Sequence, residues 1–136
     1  MRSGFVLLFF LYVFNEAFLA DAAEPDTKGL KGIVAYLFEV VWNEADFSGI
    51  DTVWSKNVLF HFRGSSEVVS PTGLKEMVIS WHTAFPYFRF KVHQIIIEGD
   101  MAAVRVSLTG TQTGVFGELL PTNRSVDVTE MMFFRF

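Results

Sequence analysis

The chain contains no cysteine, and that single absence removes disulfides, thiolate metal sites, thiol redox chemistry and cysteine nucleophiles together. Its apolar core must therefore hold the domain unaided. The three histidines, His61, His82 and His93, never stand four residues apart. The paired-imidazole spacing of a helical metal site is missing, and no metal is expected. Lysine and arginine form no cluster either. Setting aside residues 1–22, which hold Arg2, Glu16 and Asp21, leaves ten basic against thirteen acidic residues out of totals of 11 and 15, a net of −3. That balance speaks against nucleic acid and for a neutral, apolar small molecule as partner. There is no phosphate-cradling glycine loop, dinucleotide fingerprint or Gly-x-Ser-x-Gly elbow, so no cofactor is expected.

Long apolar runs are scarce beyond the N-terminus, and none there reaches the roughly 20 residues of a membrane-spanning helix. At the start, Arg2 precedes an unbroken apolar run from Phe5 to Phe14. Ala20-Asp21-Ala22 then sets small residues at −3 and −1 of a cleavage point before Ala23. This reads as a secretory signal peptide over residues 1–22, with one domain over 23–136 and a secreted or lumenal location. A membrane anchor reaching Ala20 would have to bury Asn15 and Glu16 near its centre, so no membrane association is expected after cleavage. Asn123-Arg124-Ser125 is a glycosylation sequon in a surface loop.

The remaining chain is rich in rings, with 16 Phe and 3 Trp. Leu30, Ile33, Val34, Leu37, Val40 and Val41 recur at helical spacing, predicting an amphipathic helix that ends near Asn43. Asp46 is positioned to cap a short second helix through Ile50, Val53 and Trp54. Val58 to Phe62 alternates as a strand. Ser70-Pro71 is an N-cap followed by proline at the first helical position, opening a helix with Leu74, Met77, Val78, Trp81 and Phe85 on one side. Pro86 stops it. Strands Phe88–Glu98 and Met101–Gln112 flank Gly99-Asp100, a tight hairpin signal. Gly114, Gly117 and Pro121 mark a long loop, and a last strand runs from Val126 to Phe136. Helices come first and strands last without β-α-β alternation, so the class is α+β.

Two polar residues interrupt the apolar faces of these strands. Glu130 shares a face with Val126, Val128, Met132, Phe134 and Phe136, while Ser125, Asp127 and Thr129 point the other way. Gln112 ends the row Ala102, Val104, Val106, Leu108, Gly110. A carboxyl held among apolar side chains without a cation has its charged form disfavoured, which brings its pKa toward values useful for proton transfer. The alternative is a solvated or ion-paired structural group. His61 alternates with Phe60 and Phe62 and is a second candidate beside a core or surface reading. His82 lies off the apolar stripe of its helix. Trp42, Trp54 and Trp81, with Phe60, Phe85 and Phe90, supply an aromatic wall that suits a flat or lipid-like ligand or simply fills a core.

Several segments also resemble the SnoaL-like polyketide cyclase family: Val41-Trp42-Asn43-Glu44-Ala45-Asp46, Phe85-Pro86, Glu98-Gly99-Asp100, Gly110-Thr111-Gln112-Thr113-Gly114 and Pro121-Thr122-Asn123-Arg124. The likeness spans Gly32 to Phe136. It implies a nuclear-transport-factor-2-like cone, in which a curved mixed or antiparallel sheet packs on the N-terminal helices around an apolar pocket. It also implies an acid and a histidine acting on an aldol-type ring closure, with a pocket histidine at His61. The departures are equally specific. Gln112 replaces the histidine of Gly-Thr-His-x-Gly, Met132 falls where a catalytic histidine is implied, and Phe136 precedes the Asp-Gly-Lys-Ile turn of a final strand. Without that strand the Val126–Phe136 edge would be unpaired unless another element or subunit covers it.

The expectation is a secreted domain with an apolar pocket, performing cofactor-free cyclisation or isomerisation of a polyketide-like molecule. Glu130 and His61 would be catalytic, with Gln112, Trp42, Trp81 and Met132 lining the substrate site. Non-catalytic binding of a hydrophobic small molecule and a homodimerising interaction domain are the alternatives.

Overall fold

In the computed structural model the structure describes residues 10–14, 27–62 and 64–136, with side chains from residue 29 onward. Arg2 and the cleavage motif Ala20-Asp21-Ala22 lie outside the described residues. Helix α1 (Thr27–Tyr36) continues as a π-helical turn, Leu37–Trp42, ending at Asn43, as the apolar spacing predicts. The wider turn sets Leu37, Phe38 and Val41 into the core together. Helix α2 (Ile50–Val53) is capped differently from expectation. The Asp46 carboxylate accepts the Ser48 amide at 2.9 Å, and Gly49 stands at the N-cap with no side-chain cap. That amide bond, followed by the Ser48 side chain, holds the exposed Asp46 carboxyl below its usual range. Helix α3 (Pro71–Ala84) starts as read, the Ser70 hydroxyl accepting the Gly73 amide at 3.1 Å. No described helix is long and apolar enough to cross a membrane.

The strands are β1 (Phe10–Phe14), β2 (Val58–Phe62), β3 (Ser65–Val69), β4 (Arg89–Glu98), β5 (Met101–Thr111) and β6 (Ser125–Arg135). They form one sheet in the order β3-β2-β1-β6-β5-β4. All neighbours are antiparallel except β1 and β6, which run parallel, so the sheet is mixed. Strand β3 gives no signal in the sequence because only Val69 of its five residues is buried, which leaves no alternation to read. The turn ahead of it uses Gly64 at φ +82°, in the left-handed region.

Strand β1 is the larger difference. It lies within the apolar run read as a leader. Leu11 and Val13 are opposite Phe62 and Phe60 of β2 and opposite Met132 and Phe134 of β6. The edge of β6 expected to be bare is therefore paired with an element of this chain from Met131 to Phe134.

The sheet carries a built-in bend. Pairing of β4 with β5 shifts register between Val92 and Gln94, leaving His93 as the extra residue of a β-bulge, which curves and twists the strand. One face packs on the helices through Val34, Phe38, Val41, Leu74 and Val78 against Phe60, Phe90, Val104, Val106, Met132 and Phe134. Asn43 ties the end of the first helix to edge strand β4. Its side-chain amide donates to the Phe90 carbonyl at 2.9 Å and its oxygen accepts the Phe90 amide at 2.8 Å. These two bonds satisfy the outward backbone groups of Phe90 on an edge strand, where they would otherwise be open to pairing. The fold is the expected α+β cone.

Candidate functional site

Within that cone two polar residues are buried, Gln112 at 6% and Glu130 at 7% exposure, and they are the only two such residues among those described. Both lie on the inner face, as strand alternation requires. Glu130 is opposite Val106, and Arg124 beside Gln112 precedes the first residue of β6. Gln112 follows the last residue of β5 and stands six residues after Val106, about 20 Å at roughly 3.3 Å per residue. The two groups share a face and do not meet.

Their surroundings are opposite in kind. The Gln112 side-chain amide donates to the carbonyls of Gly114 at 3.3 Å and Leu120 at 3.2 Å, and its oxygen accepts the Thr122 hydroxyl at 2.8 Å. Its backbone exchanges bonds with Arg124 and Asn123. Gln112 is the internal anchor of the loop from Thr113 to Arg124. Glu130, by contrast, has no hydrogen bond or ion pair among the described residues, and its neighbours along the inner face are Val128 and Met132. Burial alone pushes its carboxyl up from an ordinary 4.5 to about 7. Among the described residues no ion pair reaches it: the two that form, Arg89 with Glu44 and Arg135 with Asp100, are both at the surface.

His61 does not join Glu130. It is opposite Tyr12, which in turn is opposite Phe133, whereas Phe60 and Phe134 occupy the buried face. The imidazole thus lies on the outer side of the sheet, its Nδ1 2.6 Å from the Ser66 hydroxyl. Met132 is buried one inward position from Glu130 and opposite Val104.

Trp42 and Trp81 meet edge to face at 6.3 Å and belong to a ring cluster with Phe85, Phe88 and Phe90. Each well-oriented ring pair contributes about 1 kcal/mol beyond its area burial. His82 joins this cluster, its Nε2 donating to the Trp42 carbonyl at 2.9 Å and its ring lying 4.6 Å from Phe88.

The loop closes over these rings, a feature invisible in the sequence. Phe116 meets Trp81 at 4.8 Å and Phe85 at 5.7 Å, both edge to face. Both Thr113 and Gly114 donate their amides to the Ala84 carbonyl at the end of α3. At Gly114 a Cβ would stand 2.1 Å from the Thr83 carbonyl oxygen, so only glycine permits this approach. The rings fill the space where an open pocket was expected. A cleft of about 30 Å³, room for one or two waters, is lined by Leu37, Val53, Trp54, Val58, Phe134 and Phe136, away from Glu130.

Asn123 is exposed and adopts φ 56°, a left-handed conformation that asparagine tolerates. Among the described residues, no group of three or more His, Asp or Glu could hold a metal ion.

Comparison with known proteins places this geometry. No curated protein matches the chain. Among solved structures, TsrD from Streptomyces laurentii superposes with a TM-score of 0.70 at 18% identity, covering 83% of this chain and 82% of that one. A SnoaL-like polyketide cyclase from Agrobacterium tumefaciens gives 0.59 at 19% identity, with 79% and 89% covered. An LEH-like epoxide hydrolase from Mycobacterium tuberculosis gives 0.53 at 14%, with 80% and 85% covered. These likenesses establish the nuclear-transport-factor-2-like fold. The SnoaL-like polyketide cyclase model matches residues 32–136. From Gly32 onward, then, the strands, the ring-filled cone and the inward acid are those of a chain that belongs to the SnoaL-like polyketide cyclase family.

Proposed function

We propose that the protein is a cofactor-free proton-transfer catalyst, acting in cyclisation or isomerisation of a polyketide-like small molecule, with Glu130 as general acid and base. The observation that carries this reading is a buried carboxyl with no partner, held near pH 7 by desolvation alone. A group of that pKa is present in both protonation states at neutral pH, the condition for efficient general acid–base transfer. In an aldol-type closure the carboxylate would take a proton from carbon α to a carbonyl. The resulting enolate carbon would bond to a second carbonyl carbon of the same molecule. The alkoxide so formed would take the proton back from Glu130.

A substrate must displace side chains to reach it. Half-buried Val126 and Val128 lead along the inner face to Glu130, at the end of β6 that extends past the described pairing with β1. Trp42, Trp81 and Met132 would then contact the apolar body. His61, on the outer side, takes no part in this proposal, and Gln112 enters only by holding the loop.

The test is α-proton exchange of an aryl β-diketone in deuterated water, followed by NMR. The protein should accelerate exchange, and Glu130→Gln should reduce that acceleration by about 10²–10⁴-fold. Equal rates for the two proteins would overturn the role.

Met132, standing where the family resemblance implies a proton-carrying histidine, supports a second reading: a hydrophobic small molecule held without conversion. Native mass spectrometry of the purified protein would then reveal a bound apolar ligand. A secretory location is a further proposal, resting on Arg2 and the apolar run after it, and a glycan on the exposed Asn123 would report it.

A further inference from the structure

The loop over the ring cluster has two mechanical parts. Its ends are fixed. Thr113 and Gly114 donate to the Ala84 carbonyl, Asn123 donates to the Gln112 carbonyl, and the Gln112 side-chain amide holds the carbonyls of Gly114 and Leu120. The tip between them, residues 115–119, is tied only to itself. Among the described residues its only backbone hydrogen bonds are the two that Phe116 and Leu119 exchange at 3.0 Å, around Gly117 at φ +60°. Val115, Gly117, Glu118 and Leu119 are exposed, and Phe116 alone is half-buried. A turn closed in this way can swing as a unit, with one ring as its latch.

That latch lies at one end of the inner face. Phe116 meets Trp81 and Phe85, two rings that stack on each other at 5.3 Å. Phe85 and Phe88 in turn cover Gly110, where a Cβ would stand 3.6 Å from the Phe85 ring and 3.0 Å from the Phe88 Cβ. Gly110 pairs with Val126, which begins the row that passes half-buried Val128 and ends at buried Glu130. Val126 and Glu130 are four residues apart, about 13 Å at roughly 3.3 Å per residue. The tip ring thus covers the outer end of a row whose inner end is the acid.

We infer that the surface of Trp81 and Phe85 covered by Phe116 is a subsite for a flat aromatic ring of a ligand, and that Phe116 is its displaceable resident. The inference rests on the reading of the cone as a small-molecule site, and not on the role of Glu130. Its chemistry is the exchange of like for like. An incoming ring regains the edge-to-face attraction that Phe116 gives up, and the exposed tip residues lose nothing when the turn swings out. While Phe116 is seated, only the fraction of molecules with the tip displaced can bind, and apparent affinity falls by that fraction.

The experiment titrates the full 136-residue chain with 1,3-diphenylpropane-1,3-dione, followed by tryptophan fluorescence. Phe116→Ala should bind the probe about tenfold more tightly or better. Val115→Ala, on the exposed side of the same tip, should bind as the parent does. A ring that only fills the core predicts the opposite sign, because its loss would loosen Trp81 and weaken binding. The dicyclohexyl analogue, which has no ring faces, should bind the parent more weakly than the diphenyl compound. In the unaltered protein, saturating probe should abolish the nuclear Overhauser contacts between Phe116 and Trp81 while the Gly114 amide stays protected from exchange. If Phe116→Ala does not fold, those contacts decide the matter alone. The inference is overturned by a variant that binds no better than the parent, by equal affinity for the two diketones, or by Phe116–Trp81 contacts that survive saturation. Glu130→Gln should bind the probe as the parent does, so a failure of proton exchange removes the role of the acid and leaves this subsite standing.

Discussion

Gln112 and Glu130 are buried to the same degree on the same face of the same sheet, yet they do opposite things. Gln112 sits where the strand gives way to a loop, and its side chain reaches back to carbonyls and a hydroxyl of that loop. Glu130 sits in mid-strand between Val128 and Met132, where strand geometry has already committed every backbone donor nearby. Burial of a polar group is therefore no sign of function by itself. What distinguishes the two is whether the protein compensates the group it has removed from water. Gln112 is compensated and structural. Glu130 is left uncompensated, at a cost that a core of valine and methionine could have avoided.

That contrast is sharpened most by replacing the acid. With a folded pKa of about 7 against an ordinary 4.5, the native state binds the extra proton between those values. Below about pH 4.5 both states are protonated and burial carries no charge penalty. As pH rises through 7, stability falls, by roughly 3 kcal/mol in all. Glu130→Met should remove this loss, raising stability by roughly 3 kcal/mol at pH 8 and leaving it little changed at pH 4. Urea titrations at the two pH values measure both. A variant less stable than the parent at pH 8 would reveal a hidden partner for the carboxylate.

On the compensated side, Gly114→Ala drives a Cβ into the Thr83 carbonyl and should destabilise by about 3 kcal/mol, with near-ultraviolet circular dichroism reporting release of Phe116 from Trp81. Gln112→Ala should cost about 2 kcal/mol by orphaning the Thr122 hydroxyl and two carbonyls. Unlike the change at Glu130, that cost should be the same at pH 4 and pH 8, and a strong pH dependence would dissolve the distinction drawn here. Smallest of all, Arg135→Ala breaks an exposed pair with Asp100 and should shift stability by under about 1 kcal/mol.

Much of this arrangement is legible in the sequence, for reasons that particular residues make plain. Ser70-Pro71 marks the start of α3 because a hydroxyl cap and a preset φ act locally. Gly99-Asp100 marks the β4–β5 hairpin for the same reason, with Gly99 at φ 58°. The inward direction of Glu130 follows from alternation alone, since neighbours at even spacing are apolar over the whole strand. Other features depend on contacts distant in sequence and leave no such trace. Asn43 grips the backbone of Phe90 from 47 residues away. The register that sets Gln112 and Glu130 far apart depends on how the loop folds, which Phe116 decides by finding Trp81. The bulge at His93 interrupts a pattern that otherwise reads as continuous. Strand β1 was hidden by ambiguity, its residues fitting an export signal as well as a sheet. That His61 and Glu130 lie on opposite faces is not legible either, because alternation fixes which residues share a face within one strand, and only pairing fixes which faces of different strands agree.

The central claim is that Glu130 is an acid lifted to neutrality by dehydration. Selective ¹³C labelling of glutamate carboxyls, with titration followed by NMR and Glu130→Gln used for assignment, measures it directly. The account predicts one carboxyl with a midpoint near 7 that disappears in the variant. A Glu130 midpoint at the ordinary 4.5 would contradict it.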